Sequence, residues 1–242
     1  MNSNSVEVFD PCDVFDAIDR FEAEHGNAQC AMFDPWYNKG FGGVREDYVP
    51  YICSILERLS DVADHTYFWG FPEIVALFIE KLPPKYTLTS WLTWYYKNNP
   101  SVIRGWRSAQ MACLHLSREG AKLYPEHFLN EAQLQKKAEG KLRYMPGPPS
   151  VIEAGLMIGF IKRDEQTGHP SQKPLAVYEP LIEMATKEGD LVFDPMCGSG
   201  TTGEACRKLN RRAVLSDHNP EYIQMVRNRL EKPFQPKLAV GM

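Results

Sequence analysis

The 242-residue chain has no apolar run near the roughly 20 residues that a membrane-spanning helix needs, so we expect no membrane association. Its first residues, MNSNSVEVFDPCD, contain no basic stretch followed by an apolar core, and we expect no secretory signal. The six cysteines are scattered and form no CxxC pair, which argues against a disulfide framework or a metal site. The sequence also has no internal repeat. The scattered cysteines favour reduced thiols in the cytoplasm, and the length is sufficient for one α/β domain or for a domain with a small insertion.

Positive charge is concentrated in the middle of the chain. Residues 81–163 contain 13 Lys and Arg against 5 Asp and Glu, a net charge of +8, whereas the remaining residues contain 14 and 26, a net charge of −12. The basic segment indicates either a surface that faces a polyanion or a Lys-rich solvated face. Charge alone does not separate these two interpretations.

Hydrophobic periodicity predicts strands that alternate with helices. The predicted strands are 6–9, 29–33, 66–70, 86–94, 109–117, 191–193 and 212–215, and the predicted helices are 13–24, 47–59, 72–82, 174–186, 202–209 and 220–232. This alternation predicts an α/β fold in which helices cover both faces of a mostly parallel sheet. Residues 118–168 are polar, rich in Lys and Glu, and contain MPGPP. We interpret them as an insertion within a single domain that spans residues 1–242.

One predicted strand ends in the cluster Asp34-Pro35-Trp36-Tyr37-Asn38, after an apolar run. A carboxylate, two aromatic rings and an amide at the end of a strand suit a site that binds a flat molecule. Trp36 is either a buried aromatic at the edge of the sheet or a direct contact to that molecule.

A glycine loop in LVFDPMCGSGTTGEACRKL, which begins at Leu191, contains the GxGxxG pattern of dinucleotide-binding sites. Asp217 follows the next strand, at the spacing of a carboxylate that binds ribose hydroxyls. NAD is therefore one candidate ligand, and a tight strand-to-helix turn without a ligand is the alternative. However, 39 residues follow Gly203, too few for the second half of a dinucleotide fold. A ligand with a single nucleoside fits better.

Three stretches together resemble the β-class, circularly permuted DNA amino methyltransferases, which modify adenine N6 or cytosine N4. Residues 34–38 resemble their catalytic DPPY motif, HPSQKP at 169–174 resembles their HPxQKP segment, and FDPMCGSGTT at 193–202 resembles their S-adenosylmethionine loop. The catalytic motif precedes the cofactor loop, as it does in the β class. The resemblance implies a Rossmann-like methyltransferase fold with a mostly parallel seven-stranded sheet, and a prokaryotic or phage-type enzyme. Two positions depart from the motifs, because Trp36 replaces a proline and Met196 replaces a common Phe.

The resemblance assigns roles to the matching residues. It implies that Asp34 and the Pro35 carbonyl accept hydrogen bonds from a target amino group, and that Tyr37 stacks on a flipped base beside Trp36. S-adenosylmethionine is the implied cofactor, and no metal is implied. The implied cofactor-binding residues are Asp13, Asp34, Lys173, Asp194, Pro195, Met196, Cys197, Gly198, Ser199, Gly200, Thr201, Thr202, Asp217, His218 and Asn219. Lys173 is alternatively a surface lysine before a helix.

Double-stranded DNA is the implied partner, and we expect it to contact the basic middle of the chain. The candidate phosphate contacts are Lys97, Arg104, Arg107, Arg118, Lys136, Lys137, Lys141 and Arg143. The last four lie in the 118–168 insertion, the candidate target-recognition element. A recognition region this small implies a short target, relaxed specificity, or a homodimer that contributes a second surface.

Aspartate at the first position of the catalytic motif favours adenine N6 as the methylated group. The alternatives are cytosine N4, an RNA base, and a protein that binds cofactor and nucleic acid without transferring a methyl group.

Overall fold

A computed structural model of the protein describes residues 6–39, 43–99, 102–103, 105–159, 161 and 163–232. The strands are β1 (Val6–Val8), β2 (Ala28–Phe33), β3 (Ala63–Gly70), β4 (Tyr86–Tyr95), β5 (Val102–Ile103), β6 (Trp106–Arg107), β7 (Gln110–Arg118), β8 (Val151–Glu153), β9 (Leu191–Asp194) and β10 (Arg212–Leu215). The helices are α1 (Val14–His25), α2 (Tyr48–Val62), α3 (Pro72–Val75), α4 (Glu131–Ala138), α5 (Leu175–Ala185), α6 (Thr201–Lys208) and α7 (Pro220–Glu231). Short 3-10 helices span Ala76–Lys81 and Pro125–Phe128.

Eight of the strands form one central sheet in the order β1-β10-β9-β2-β3-β7-β4-β8. The neighbouring strands β1, β10, β9, β2 and β3 all pair in parallel. Strand β7 is antiparallel to both β3 and β4, and β8 is parallel to β4. The carboxyl ends of all these strands except β7 therefore lie at the same edge of the sheet. This architecture confirms the predicted α/β fold with a mostly parallel sheet.

The predicted number of seven strands is wrong by one. All seven predicted strands are present, and β8 adds an eighth from within residues 118–168. Thr93 of β4 pairs with Val151, and the Trp94 indole nitrogen donates to the Ala154 carbonyl at 2.7 Å. A three-residue strand is too short to show a periodicity in the sequence. Residues 151–153 form a strand because they pair with β4. The circular permutation stays a prediction.

Helices cover the two faces of the sheet and bury separate apolar cores. On one face, Phe21 of α1 stacks on Phe193 of β9 with ring centroids 4.1 Å apart. On the other face, Trp69 of β3 stacks on Tyr178 of α5 at 6.1 Å. Burial of each such side chain stabilises the fold by roughly 1.5–3 kcal/mol. Packing of the helices on the sheet therefore holds the strands in place, together with the loops that follow them. Among the described residues, no helix is long and apolar enough to cross a membrane.

The start of α1 shows how local sequence places a polar group at this edge. The Asp13 side chain caps the helix by accepting a hydrogen bond from the Phe15 backbone N–H at 2.9 Å. An aspartate cap satisfies an otherwise unpaired helix donor and contributes about 1 kcal/mol. Ile18 and Phe21 then face the core one turn apart, so the apolar face of α1 holds Asp13 over the ends of the strands.

Candidate active site

Three acidic residues follow or end parallel strands at the carboxyl edge of the sheet. Asp34 comes directly after β2, Asp194 ends β9, and Asp217 lies two residues after β10. The loops are tied to each other, since Cys197 N donates to the Ser216 carbonyl at 2.8 Å. The carboxyl edge of a parallel sheet is where α/β proteins bind ligands, so these side chains mark the candidate site.

Asp34 is part of a buried polar cluster with Tyr37 and Lys173. The Tyr37 hydroxyl donates to Asp34 Oδ1 at 2.8 Å. Lys173 is 2% exposed, forms an ion pair with the other oxygen of Asp34, and donates to the Tyr37 hydroxyl at 3.0 Å. Burial raises the pKa of Tyr37, which keeps its hydroxyl proton available as a donor. The alternative interpretation of Lys173 as a surface lysine is wrong.

Trp36 packs towards helix α2 and away from this cluster. Its ring meets Tyr48 edge-on at 5.3 Å, and the Tyr48 hydroxyl donates to the Trp36 carbonyl at 2.7 Å. The loop that proline would stiffen is thus held by an aromatic contact and a hydrogen bond. Trp36 is partly buried by this packing, and its direct contact with a ligand stays a prediction.

A cavity of about 700 Å³ opens above the cluster and the glycine loop. It has the size of a typical small-ligand site. Most of the predicted catalytic and cofactor residues line it, namely Asp13, Asp34, Pro35, Trp36, Tyr37, Lys173, Asp194, Pro195, Met196, Cys197, Gly198, Ser199, Thr201, Asp217, His218 and Asn219. The fold therefore brings together residues that lie more than 150 positions apart in the chain.

Gly200 and Thr202 support this cavity from behind and are not among its described lining residues. Gly200 has a left-handed φ of 71°, and a Cβ there would come within 3.0 Å of Val226. The Thr202 hydroxyl donates to Asp194. Both residues help to shape the loop, and their direct contact with a cofactor stays a prediction.

Asp217 presents a fixed carboxylate to the cavity. Its two oxygens accept hydrogen bonds from Gly198 N at 3.0 Å and from Asn219 N at 2.9 Å. These bonds hold the carboxylate between the glycine loop and the start of α7, and leave further acceptor capacity for hydroxyl donors.

Asp194 is buried and its oxygens are engaged within the protein. It accepts hydrogen bonds from the Met196 backbone N–H at 3.2 Å and from the Thr202 hydroxyl. Burial raises the pKa of Asp194 to about 7. The Asp194 side chain therefore holds the glycine loop in place through these hydrogen bonds.

His169 was missing from the predicted site residues, although it opens the HPSQKP segment. Its ring packs against Gly198, where a Cβ would lie 2.9 Å from His169 Nε2, and it meets the Tyr222 ring edge-on at 4.5 Å. Burial lowers the pKa of His169, so the ring stays neutral at physiological pH. Glycine at 198 is required for this close approach.

A second cavity of about 480 Å³ adjoins the first, and both are lined by Tyr37 and His169. Its walls are largely aromatic and apolar, with Phe71, Trp94, Tyr96, Met111, Leu156, Met157 and Ile158 among its lining residues. Asn98 fixes one wall by accepting from Leu156 N at 2.8 Å and donating to the Leu156 carbonyl at 2.9 Å. Two joined cavities with Tyr37 at their junction suit two ligands that meet there.

Most candidate DNA contacts are exposed. Lys97 pairs with Glu153 at 2.5 Å, and Arg107 donates to the Lys97 carbonyl at 3.0 Å. The insertion supplies four more exposed cations on or just after α4: Lys136, Lys137, Lys141 and Arg143. Arg104 lies outside the described residues.

The prediction that Arg118 contacts phosphate is contradicted by its position. Arg118 ends β7, and its register partner on β4 is Tyr86, at the amino end of that strand. This is the sheet edge opposite to Asp34. Its guanidinium donates to the Ser60 carbonyl at 2.8 Å and to Asn27 at 2.9 Å. Arg118 therefore ties the turns at that edge together.

Residues 54–228 match the model of a family described as DNA methylase, N6_N4_Mtase. The chain belongs to this family. Among curated relatives, the Type II methyltransferase M.HpaI of Haemophilus parainfluenzae is 33% identical over 60% of this chain and 46% of the relative. The matched region thus spans just under half the length of that relative. The DNA adenine methyltransferase YhdJ of Escherichia coli (strain K12) is 25% identical over 82% of this chain and 74% of YhdJ.

Solved structures share the fold of this chain. The M1.HpyAVI–SAM complex superposes with a TM-score of 0.72, at 21% identity, over 94% of this chain and 100% of that one. The cytosine-N4-specific PvuII DNA methyltransferase gives a TM-score of 0.65 at 16% identity, over 98% of this chain and 90% of that one. These likenesses establish a methyltransferase fold for the chain.

Proposed function

We propose that the protein is an S-adenosylmethionine-dependent DNA methyltransferase that acts on the exocyclic amino group of a flipped base. The observation that carries this proposal is the Asp34–Tyr37–Lys173 cluster at the junction of two cavities, one lined by carboxylates and the glycine loop, the other by aromatic and apolar side chains. Membership of the DNA methylase family supports it.

The first cavity fits S-adenosylmethionine by the chemistry of its groups. Asp217 offers a fixed carboxylate for ribose hydroxyls, Asp13 caps a helix at the same cavity, and Gly198 lines the cavity at the glycine loop. An acceptor for ribose hydroxyls beside a strand-to-helix glycine loop is what a nucleoside requires. When bound, this cofactor supplies an electrophilic methyl group on a sulfonium.

The second cavity fits a base that has left the duplex. An amino group inside a base pair cannot be reached, so the target must be extruded into a pocket. Aromatic walls stack on such a base, for roughly 1–3 kcal/mol per contact. Tyr37 lines this cavity, and its ring is held edge-on to Phe71 at 4.9 Å.

Asp34 then acts as the hydrogen-bond acceptor for the target amino group, together with the Pro35 carbonyl. Acceptance of these hydrogen bonds turns the nitrogen lone pair away from the ring and towards the first cavity. Lys173 and Tyr37 hold the carboxylate in place, so the acceptor does not reorganise during the reaction. Correct placement of two reactants supplies a large part of the rate.

Adenine N6 is the proposed target, since aspartate opens the catalytic motif and YhdJ, a relative matched over most of this chain, is named as an adenine enzyme. Duplex DNA is the proposed substrate, bound by exposed cations such as Lys97, Arg107 and Lys136. Residues 118–168 are the proposed target-recognition element, and a homodimer would supply a second surface.

Mass spectrometry of nucleosides tests this proposal. Genomic DNA lacking methylation, incubated with purified protein and S-adenosylmethionine, is expected to yield N6-methyladenine. Asp10→Ala is the control, because Asp10 is an exposed carboxylate whose partner is Arg227, and it is expected to keep full activity. N4-methylcytosine alone would contradict the adenine assignment, and methylation of RNA but not DNA would contradict the substrate.

A further inference from the structure

A small hairpin projects from the sheet beside the second cavity. β5 and β6 pair antiparallel, with Val102 opposite Arg107 and Ile103 opposite Trp106. Gly105 lies in the turn with a left-handed φ of 83°, and a Cβ there would meet nothing within 4 Å. Open space therefore lies beside Gly105.

The hairpin extends the β4–β7 pair beyond the carboxyl end of β4. The last paired residues are Tyr95 and Gln110, after which Tyr96 N donates to the Ala109 carbonyl at 2.8 Å. Asn99 then donates to the Ser108 carbonyl at 2.7 Å. Since β4 and β2 point the same way, the hairpin leaves the sheet at the edge that carries Asp34.

Trp106 is the most exposed large apolar residue described, at 82%. Two residues further on, Ser108 lines the second cavity together with Asn99 and Tyr96. Two residues of extended chain span about 7 Å, so the backbone of Trp106 lies within about that distance of a residue that lines the cavity. A single exposed apolar residue is ordinary on a protein surface, and its place beside an aromatic cavity is what distinguishes this one.

The surroundings of Trp106 are basic. Arg107 is exposed and adjacent, and its guanidinium donates to the carbonyl of Lys97, another exposed cation. Both belong to the segment 81–163, which carries a net charge of +8. An indole flanked by cations matches the alternation of stacked bases and phosphates in DNA.

We propose that Trp106 is a wedge that inserts into the base stack of duplex DNA next to the target and favours extrusion of that base into the second cavity. This inference rests on the proposed function. Apolar side chains that enter a base step unstack it, and an unstacked neighbour makes extrusion easier. Trp106 is in this sense a positioning residue, and Arg107 holds the adjacent phosphate.

The test compares Trp106→Ala, Trp106→Phe and wild type on oligonucleotides that carry the site methylated in cells expressing the protein. Each is assayed on a matched duplex, on the same duplex with a mismatch at the target, and on the single strand. A fluorescent base analogue at the target reports extrusion separately from methylation. Leu77→Ala is the control, because Leu77 is an exposed apolar residue outside the proposed binding surfaces.

We expect Trp106→Ala to lower kcat/KM on the matched duplex by about 10- to 100-fold, with a matching loss of the extrusion signal. On the mismatched duplex and the single strand, where extrusion is easy, the variant is expected to stay within about threefold of wild type. Trp106→Phe is expected to keep most of the duplex activity.

Equal duplex rates for Trp106→Ala and wild type would overturn the wedge while leaving the proposed function intact. An equal loss on all three substrates would overturn it as well, since it would place Trp106 in the fold or in a contact with a second copy of the chain. If the wild-type protein methylates none of the substrates, the proposed function fails and the wedge fails with it.

Discussion

Two clusters of polar side chains lie at or in the central sheet, and they differ in whether they contain an ion pair. At the carboxyl edge, Lys173 and Asp34 form an ion pair with Tyr37 bonded to both. Nearer the other edge, the buried His65 and His115 lie 3.1 Å apart, and Ser117 bonds to His65 at 2.8 Å. The first cluster contains an ion pair, and the second contains two histidines whose pKa values are lowered by burial.

The surroundings explain this difference. His115 lies between the strands, with its ring 4.3 Å from that of Tyr67, and burial lowers its pKa to about 3. Lys173 and Asp34 face the first cavity, where a fixed carboxylate has a use as an acceptor. A buried ion pair adds little net stability, so its presence at the cavity indicates function, whereas the neutral cluster indicates packing.

The largest expected effect follows removal of the ammonium. Lys173→Met leaves the Asp34 carboxylate buried without its partner, and we expect the free energy of unfolding to fall by about 3–5 kcal/mol. Methyl transfer is expected to fall by about 100-fold or more, since the acceptor is no longer held. Urea unfolding and single-turnover kinetics measure the two effects.

The matched control is Lys208→Met, which removes an exposed lysine from its pair with Glu179 at 2.6 Å and is expected to change stability by less than about 1 kcal/mol. The double variant Asp34→Asn/Lys173→Met sharpens the comparison, because it should regain most of the lost stability and none of the activity. If stability stays as low as in the single variant, the two charges are not coupled.

A smaller effect is expected from the neutral cluster, and it depends on pH. The lowered pKa of His115 means that the unfolded chain binds a proton below about 6.5 while the native state does not. The contribution of neutral His115 to the free energy of unfolding is therefore fully present above about pH 6.5 and is lost as the pH falls below that value. Between pH 7 and pH 5, the free energy of unfolding of wild type should fall by about 2 kcal/mol more than that of His115→Phe. The exposed His127→Phe serves as the control in urea unfolding at each pH.

The effect at Asp194 has the opposite pH dependence. The pKa of Asp194 is raised to about 7, so the native state holds a proton that the unfolded chain releases above about pH 4. Its contribution to stability therefore falls as pH rises from about 4 to 7. Asp194→Asn removes this penalty, and we expect its free energy of unfolding to exceed that of wild type at pH 8 and to equal it at pH 4. A gain that is equal at both pH values would refute the role of burial.

The sequence predicted more of the strands and loops than of the side-chain partners. The apolar runs before Asp34 and Asp194 were long enough to locate β2 and β9, and the glycine loop located α6. Strand β8 escaped prediction because its three residues depend on pairing with β4. The charge of Arg118 was visible in the sequence, but its hydrogen bond to Ser60, which lies 58 positions away, was not.

The same limit applies within the site. The HPSQKP segment marked Lys173 as important, but its pairing with Asp34 joins residues 139 positions apart. The sequence does not identify His169 as a site residue, because nothing in the local pattern of a loop histidine shows that its side chain lines two cavities. The direction of the Trp36 ring depends on Tyr48, which the local sequence does not determine.

The central claim is that Asp34 acts in methyl transfer itself, beyond any contact that it makes with the cofactor. Asp34→Asn keeps the shape of the side chain, and labelled methyl transfer to DNA is measured beside the Kd for S-adenosylmethionine from isothermal titration. We predict a loss of transfer of about 1,000-fold or more with a Kd within about threefold of wild type. Transfer at the wild-type rate, or a loss of transfer explained by lost cofactor binding, would contradict the account.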